Sequence, residues 1–140
     1  MDVSLDIVGV WRSKIRKKIQ AVCNKVNFTG FVDDLPSFLN DKVSIVPIRI
    51  GSGMRMKILD SIVAASPIVT TAKGCEGLPF KDAEDYLIAD EPEDFAKAVA
   101  VLLKDETLQE RMALRIQENM RSTFDFESLK QRRIDFYKTI

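Results

Sequence analysis

The residues best placed to do chemistry lie in one stretch, Ile48-Arg49-Ile50-Gly51-Ser52-Gly53-Met54-Arg55-Met56-Lys57-Ile58-Leu59-Asp60. An apolar run, Val43-Ser44-Ile45-Val46-Pro47, precedes it and reads as a buried strand. Helical apolar spacing follows, with Met56, Leu59 and Val63 flanked by Ile58 and Ile62. A glycine turn between strand and helix leaves backbone N–H groups free at a helix N-terminus, and such groups attract anions. Arg55 and Lys57 fall in the first turn, where positive charge opposes the helix dipole. A phosphate in front of them removes that conflict. Lys57 and Asp60 are three residues apart and share a helix face. They read either as an ordinary surface ion pair or as a cation for phosphate and a carboxylate for a sugar hydroxyl. A phosphate-bearing ligand is therefore the first expectation.

Other chemistries are poorly provided for. The chain has no histidine, which removes Ser-His-Asp and Cys-His catalysis and argues against a zinc site. Cys23 and Cys75 lie in unrelated segments without metal-ligand spacing, and read as two free thiols. No metal site is expected. Gly9-Val10-Trp11-Arg12 does not continue as a dinucleotide fingerprint, and it carries no paired acids of the phosphoacceptor type. Gly53-Met54-Arg55-Met56-Lys57 does not match a P-loop.

The elements that must position these residues alternate between strand and helix patterns. Strands are expected at 5–8, 26–29, 43–47, 67–70 and 86–88. Helices are expected at 12–23, with Ile15, Ile19, Val22 and Cys23 on one face, near 35–40, and at 54–65, ending before Pro67. Phe95, Ala98, Val99, Leu102 and Leu103 form an amphipathic face behind Pro92. Thr107 and Glu110 have capping-box spacing before Leu108, Met112, Ile116 and Met120, and a final helix covers about 126–138. Such alternation implies a parallel sheet with helices on both faces. All six glycines follow an expected strand, which points to a ligand crevice beyond the strands' carboxyl ends.

The 140 residues are enough for one domain with a real core, and 46% apolar with 30% charged residues is ordinary soluble composition. Lysine plus arginine equals aspartate plus glutamate at 21 each, so no global field recruits nucleic acid. No apolar run reaches membrane-spanning length, and Asp2 and Asp6 do not suit a signal peptide. A cytoplasmic setting is expected. Arg12, Lys14, Arg16, Lys17 and Lys18 crowd one helix; this is a solvated face, or a weak contact with anionic lipid at the inner membrane surface. Seven carboxylates between Asp82 and Asp94 read as solvated loop and helix start. Trp11 reads as domain-edge packing rather than a base-stacking platform.

Four blocks, in order, resemble the carboxyl-terminal donor-binding domain of two-domain (GT-B) glycosyltransferases of the retaining group 1/family 4 type. Leu5-Asp6-Ile7-Val8-Gly9 is similar to that family's "IVG" strand, and Phe28 to Leu35 to its "F-x-G-x-V-x-D-L". Pro47 to Asp60 is similar to "P-x-x-x-G-S-G-x-R-x-K-x-x-E". Pro67 to Thr71 with Gly74 to Leu78 is similar to "P-V-V-S-T…G-x-E-G-L", and the Asp90–Lys104 helix fits "F-A-x-A-V-x-x-L-L". The resemblance covers nearly the whole chain. It implies a Rossmann-like three-layer α/β sandwich holding a nucleotide-sugar donor. Gly51, Ser52, Gly53 and Met54 would line sugar and phosphate. Arg55 and Lys57 would neutralise the diphosphate, or stabilise the helix that does. Asp60, at the second acid of the family's E-x7-E pattern, would bond the ribose, and Phe31 and Val32 would border the base. Catalysis of this type is metal-independent and retaining, with the leaving phosphate helping deprotonate the acceptor.

Two departures accompany the resemblance. Ser52 stands where the first acid of E-x7-E would be, and Asp60 is one methylene shorter than glutamate. The chain also starts at what looks like the family's second donor-domain strand, without the acceptor domain. Residues 1–140 are therefore expected to be a single donor domain, a fragment inactive alone, with an unsatisfied sheet edge that invites self-association. The rival readings are a non-catalytic nucleotide- or phosphate-binding module and a protein-interaction module of the same fold.

Overall fold

The computed structural model describes residues 3–53 and 55–139, which form two compact units, 1–38 and 39–140. In the first unit, β1 (Leu5–Val8) pairs in parallel with β2 (Val26–Gly30) across α1 (Ser13–Val22). Trp11 donates from its indole to the Val8 carbonyl at 3.2 Å and meets Phe28 edge-on, while the Arg16 guanidinium lies 5.0 Å over the same ring. Trp11 is thus a packing residue. The expected apolar face of α1 is not covered: Ile15 and Val22 are exposed, Ile19 is half-buried, and Cys23 lies exposed just past the helix end. Two strands and one helix offer too little apolar surface to bury it. The short α2 (Leu35–Leu39) follows, its entry fixed by Asp34, which accepts from the Ser37 N–H at 3.1 Å.

The second unit contains a three-stranded parallel sheet, β3 (Ser44–Val46), β4 (Ile68–Thr70) and β5 (Leu87–Ile88), in the order β3-β4-β5. All described strand pairings are parallel, in one two-stranded and one three-stranded sheet. The helices are α3 (Met56–Val63), α4 (Ala72–Cys75), α5 (Pro92–Lys104), α6 (Glu106–Phe124) and α7 (Phe126–Lys138). Strand alternation divides the core. Ile68 packs with Val46, Ile58, Ile62, Phe80, Tyr86 and Ile116, whereas its neighbour Val69 packs on the other face with Leu102 and Met112. Met112 and Ile116 are one helical turn apart, so α6 serves both clusters. This is the α/β, Rossmann-like layering that strand–helix alternation predicts.

Several boundaries differ from expectation for local reasons. Asp105, rather than Thr107, caps α6 by accepting from the Leu108 N–H at 2.9 Å, so the helix starts at Glu106. Gly74 is not in a loop: it sits inside the short helix α4. The acidic stretch is only partly solvated. Asp85 is buried, accepting from Asn119 at 2.7 Å and the Lys81 N–H at 2.8 Å, with Arg115 Nε at 3.3 Å. That carboxylate fastens the loop before β5 to α6, a role that charge density along the sequence cannot distinguish from solvation.

Helix α3 ends in a Schellman arrangement, with Ser66 N–H donating to Ser61 O at 2.9 Å and Ala65 N–H to Ile62 O at 3.1 Å. The turn places Ala65 at φ 53°, a left-handed conformation that usually selects glycine. Ala65→Gly is therefore expected to stabilise the protein by about 0.5–1 kcal/mol, the relieved backbone strain exceeding the added unfolded-state entropy. Denaturant melts of the two proteins check the sign.

Candidate donor site

Beyond the carboxyl end of β3, the chain runs through Ile48 to Gly53 before α3 begins. Ile50, Gly51, Ser52 and Gly53 are all exposed, and Gly51 and Gly53 have φ of 147° and 84°. Positive φ at both glycines suits a turn that faces its amides outward. Met54 lies outside the described residues. Helix α3 starts without a side-chain cap and without an acidic residue in its first turn. Its free N–H groups are thus left to solvent or to an anion.

Lys57 is exposed and Asp60 half-buried. The ion pair their spacing allows does not form, and among the described residues neither charged group has a hydrogen-bond partner. Both face outward from the helix whose Ile58 and Ile62 enter the core. Arg55 behaves differently. It is only 6% exposed. Its Nη2 donates to Gly51 O at 3.2 Å and to Lys73 O at 3.1 Å, and its Nε reaches Lys73 O at 3.3 Å. Glu76 lies 3.8 Å from the guanidinium and is itself hydrogen-bonded by Lys73 at 2.6 Å. That bond holds the exposed Glu76 carboxyl below its ordinary range. A sequence window sees arginine's charge but not the carbonyls folded around it.

The loops after β3, β4 and β5 are tied together by other bonds as well. The Thr71 hydroxyl donates to the Ile48 carbonyl and accepts from the Gly74 N–H at 2.9 Å. Asp90 receives the Ala72 N–H at 2.9 Å through its carboxylate, while its backbone carbonyl accepts from Arg49 at 2.6 Å. Thr71 and Asp90 were not singled out from sequence; the threonine-to-glycine spacing of an N-cap was the available signal.

In the first unit, Phe31 follows β2 and is 77% exposed, with Val32 half-buried beside it. Among the described residues no cluster of three or more histidine, cysteine, aspartate or glutamate side chains could hold a metal ion. No helix among them is long and apolar enough to cross a membrane.

Similar proteins are consistent with this geometry. No curated protein matches the sequence. The solved structure of Anabaena HepE in complex with UDP overlays 99% of this chain on 41% of its own length, at 15% identity and TM-score 0.79. S. aureus TarM overlays 95% of this chain on 28% of its own, at 17% identity and TM-score 0.78. The C-terminal domain of a group 1 glycosyl transferase, LpcC from Francisella tularensis, overlays 81% on 60%, at 15% identity and TM-score 0.65. At these identities the likeness is one of fold, and the chain spans well under half of the TarM and HepE chains. The sequence profile described as "Glycosyl transferases group 1" matches residues 1–105, three quarters of the chain, and the protein therefore belongs to that family.

Proposed function

We propose that this chain is the donor-binding part of a retaining glycosyltransferase, which moves a sugar from a nucleotide-sugar to an acceptor hydroxyl without a metal. The observation that carries the reading is the pairing of an uncapped, acid-free α3 N-terminus with an exposed Lys57 ammonium that has no partner among the described residues. An anionic diphosphate satisfies both. In this reading, the outward amides of Gly51, Ser52 and Gly53, with Met54, line the donor phosphates and sugar. Asp60 accepts hydrogen bonds from ribose hydroxyls, and Phe31 and Val32 border the base. UDP and UDP-glucose, present in the HepE structures, set the first ligands to try. The acceptor is held by a further domain of the full-length protein.

Titration with UDP, GDP and ADP, followed by backbone amide shifts, tests the reading. Residues 30–32 and 51–60 are expected to move, with affinity of roughly millimolar, about 4 kcal/mol. Saturation with all three nucleotides that leaves both segments unmoved sinks it. Lys57→Ala is expected to weaken UDP by about 1.5 kcal/mol, close to tenfold, through loss of one charge-assisted bond. The melting temperature should hold, because the side chain is exposed.

A further inference from the structure

We propose that Arg55 is a positioning residue that joins the Gly51–Gly53 loop to the α4 turn, so that both meet a bound diphosphate as one body. The proposal rests on the donor-site reading above and assigns Arg55 a role other than phosphate ligand. Its guanidinium is buried and reaches across 22 residues of sequence, from the Gly51 carbonyl in the loop after β3 to the Lys73 carbonyl in α4. One Nη2 serves both carbonyls, and Nε adds a second bond to Lys73. A planar fork suits this task, since its donors diverge at fixed angles and stay charged at any working pH. The bonded carbonyls also matter for what they leave free. An amide whose carbonyl is held inward presents its N–H outward, and Gly51 O is bonded to Arg55 while the following amides of Ser52 and Gly53 sit in an exposed turn.

The position of Arg55 sharpens the assignment. It occupies the N-cap of α3, immediately before the helix whose free N–H groups form the anion site, yet it offers no side-chain cap to them. A cation aimed at the ligand would lie open to solvent, as Lys57 does. Arg55 is instead enclosed, with Gly51 close enough that a Cβ there would stand 3.5 Å from Nη1. A Cβ at Gly51 would thus rest in ordinary contact with the guanidinium, and the φ of 147° there would strain it. The Thr71 hydroxyl ties the bases of the two loops at Ile48, and Arg55 ties their tips. Among the described residues, Arg55 is the side chain that bonds both Gly51 and Lys73 directly.

The test compares the 140-residue chain with Arg55→Met and Arg55→Lys, using 15N relaxation without ligand and then a UDP titration. Both variants are expected to lower the backbone order parameters of residues 50–53 and 73–76 together, towards the roughly 0.6 that marks a flexible backbone, while β4 stays rigid. UDP affinity is expected to fall fivefold or more in both, although Arg55→Lys keeps the charge. Unchanged loop order with weakened UDP binding would make Arg55 a direct ligand and overturn the proposal. Full rescue by lysine would overturn it too, since charge alone would then suffice. Loss of order that spreads equally into β4 would reduce Arg55 to a core residue. A wild-type chain that ignores UDP removes the donor site, and the relaxation comparison still decides whether the loops are joined.

Discussion

Gly74→Ala is expected to destabilise this protein by about 3 kcal/mol, lowering its melting temperature by about 10 °C. The backbone at Gly74 is not in the left-handed region, so the penalty comes from space alone. An added Cβ would lie 2.3 Å from Thr70 Oγ1, 3.0 Å from the Val46 carbonyl and 3.1 Å from Thr71 Oγ1. None of these can withdraw cheaply. Thr70 is fully buried and its hydroxyl donates to Val46 O at 3.2 Å, whereas Thr71 accepts the Gly74 N–H itself. Relief requires α4 to lift away from the ends of β3 and β4. That movement would also disturb the Lys73 carbonyl bonded to Arg55, so nucleotide binding should weaken with stability. A double-mutant cycle with Thr70→Ala isolates the cause. Removing Oγ1 should recover about 1 kcal/mol or more of the Gly74→Ala cost. Simple additivity would place the strain elsewhere.

The same glycine shows where sequence reading succeeds and where it stops. Gly74 was legible as part of a block resembling a glycosyltransferase motif, but as a loop residue beyond a strand. Its actual constraint is a close approach between α4 and two strand ends, which depends on residues far apart in sequence. Fold class was legible because apolar periodicity changes regularly between 2 and 3.6 along the chain. Met112 and Ile116 of α6 enter the core as their spacing predicts, whereas on α3 the expected face is misplaced: Met56 and Val63 are exposed, and the flanking Ile58 and Ile62 enter the core instead. The face of α1 was misread because periodicity says which side of a helix is apolar, not whether anything covers it. Asp85 was misread for a related reason. A charged residue in a polar stretch reads as solvated until the fold delivers partners to it. For Asp85, Arg115 and Asn119 come from α6, some 30 residues on. Lys57 and Asp60 were placed correctly on α3, and the structure adds that they do not pair with each other.

The 140 residues taken by themselves are expected to bind donor without transferring its sugar. Transfer requires an acceptor hydroxyl held beside the anomeric carbon, and positioning of that kind can supply roughly 7–11 kcal/mol of barrier reduction. At about 1.4 kcal/mol for each tenfold, that is roughly five orders of magnitude or more. The loop proposed to hold the donor offers no such constraint on its outer side. Gly51, Ser52 and Gly53 are exposed, Ile50 is 92% exposed, and Lys57 projects into solvent. Water has free access there, so the site can neither exclude hydrolysis nor fix a second substrate. Nor does the chain offer a histidine as a general base there. The measurement is turnover of radiolabelled nucleotide-sugars with a broad acceptor panel, run beside a longer chain that also carries an acceptor domain. Robust transfer by residues 1–140 would show that the exposed loop and α3 suffice for catalysis, against the donor-half reading. Binding by both forms, with transfer only by the longer one, would place the acceptor surface outside these residues and leave Gly51–Asp60 as the donor's holding site.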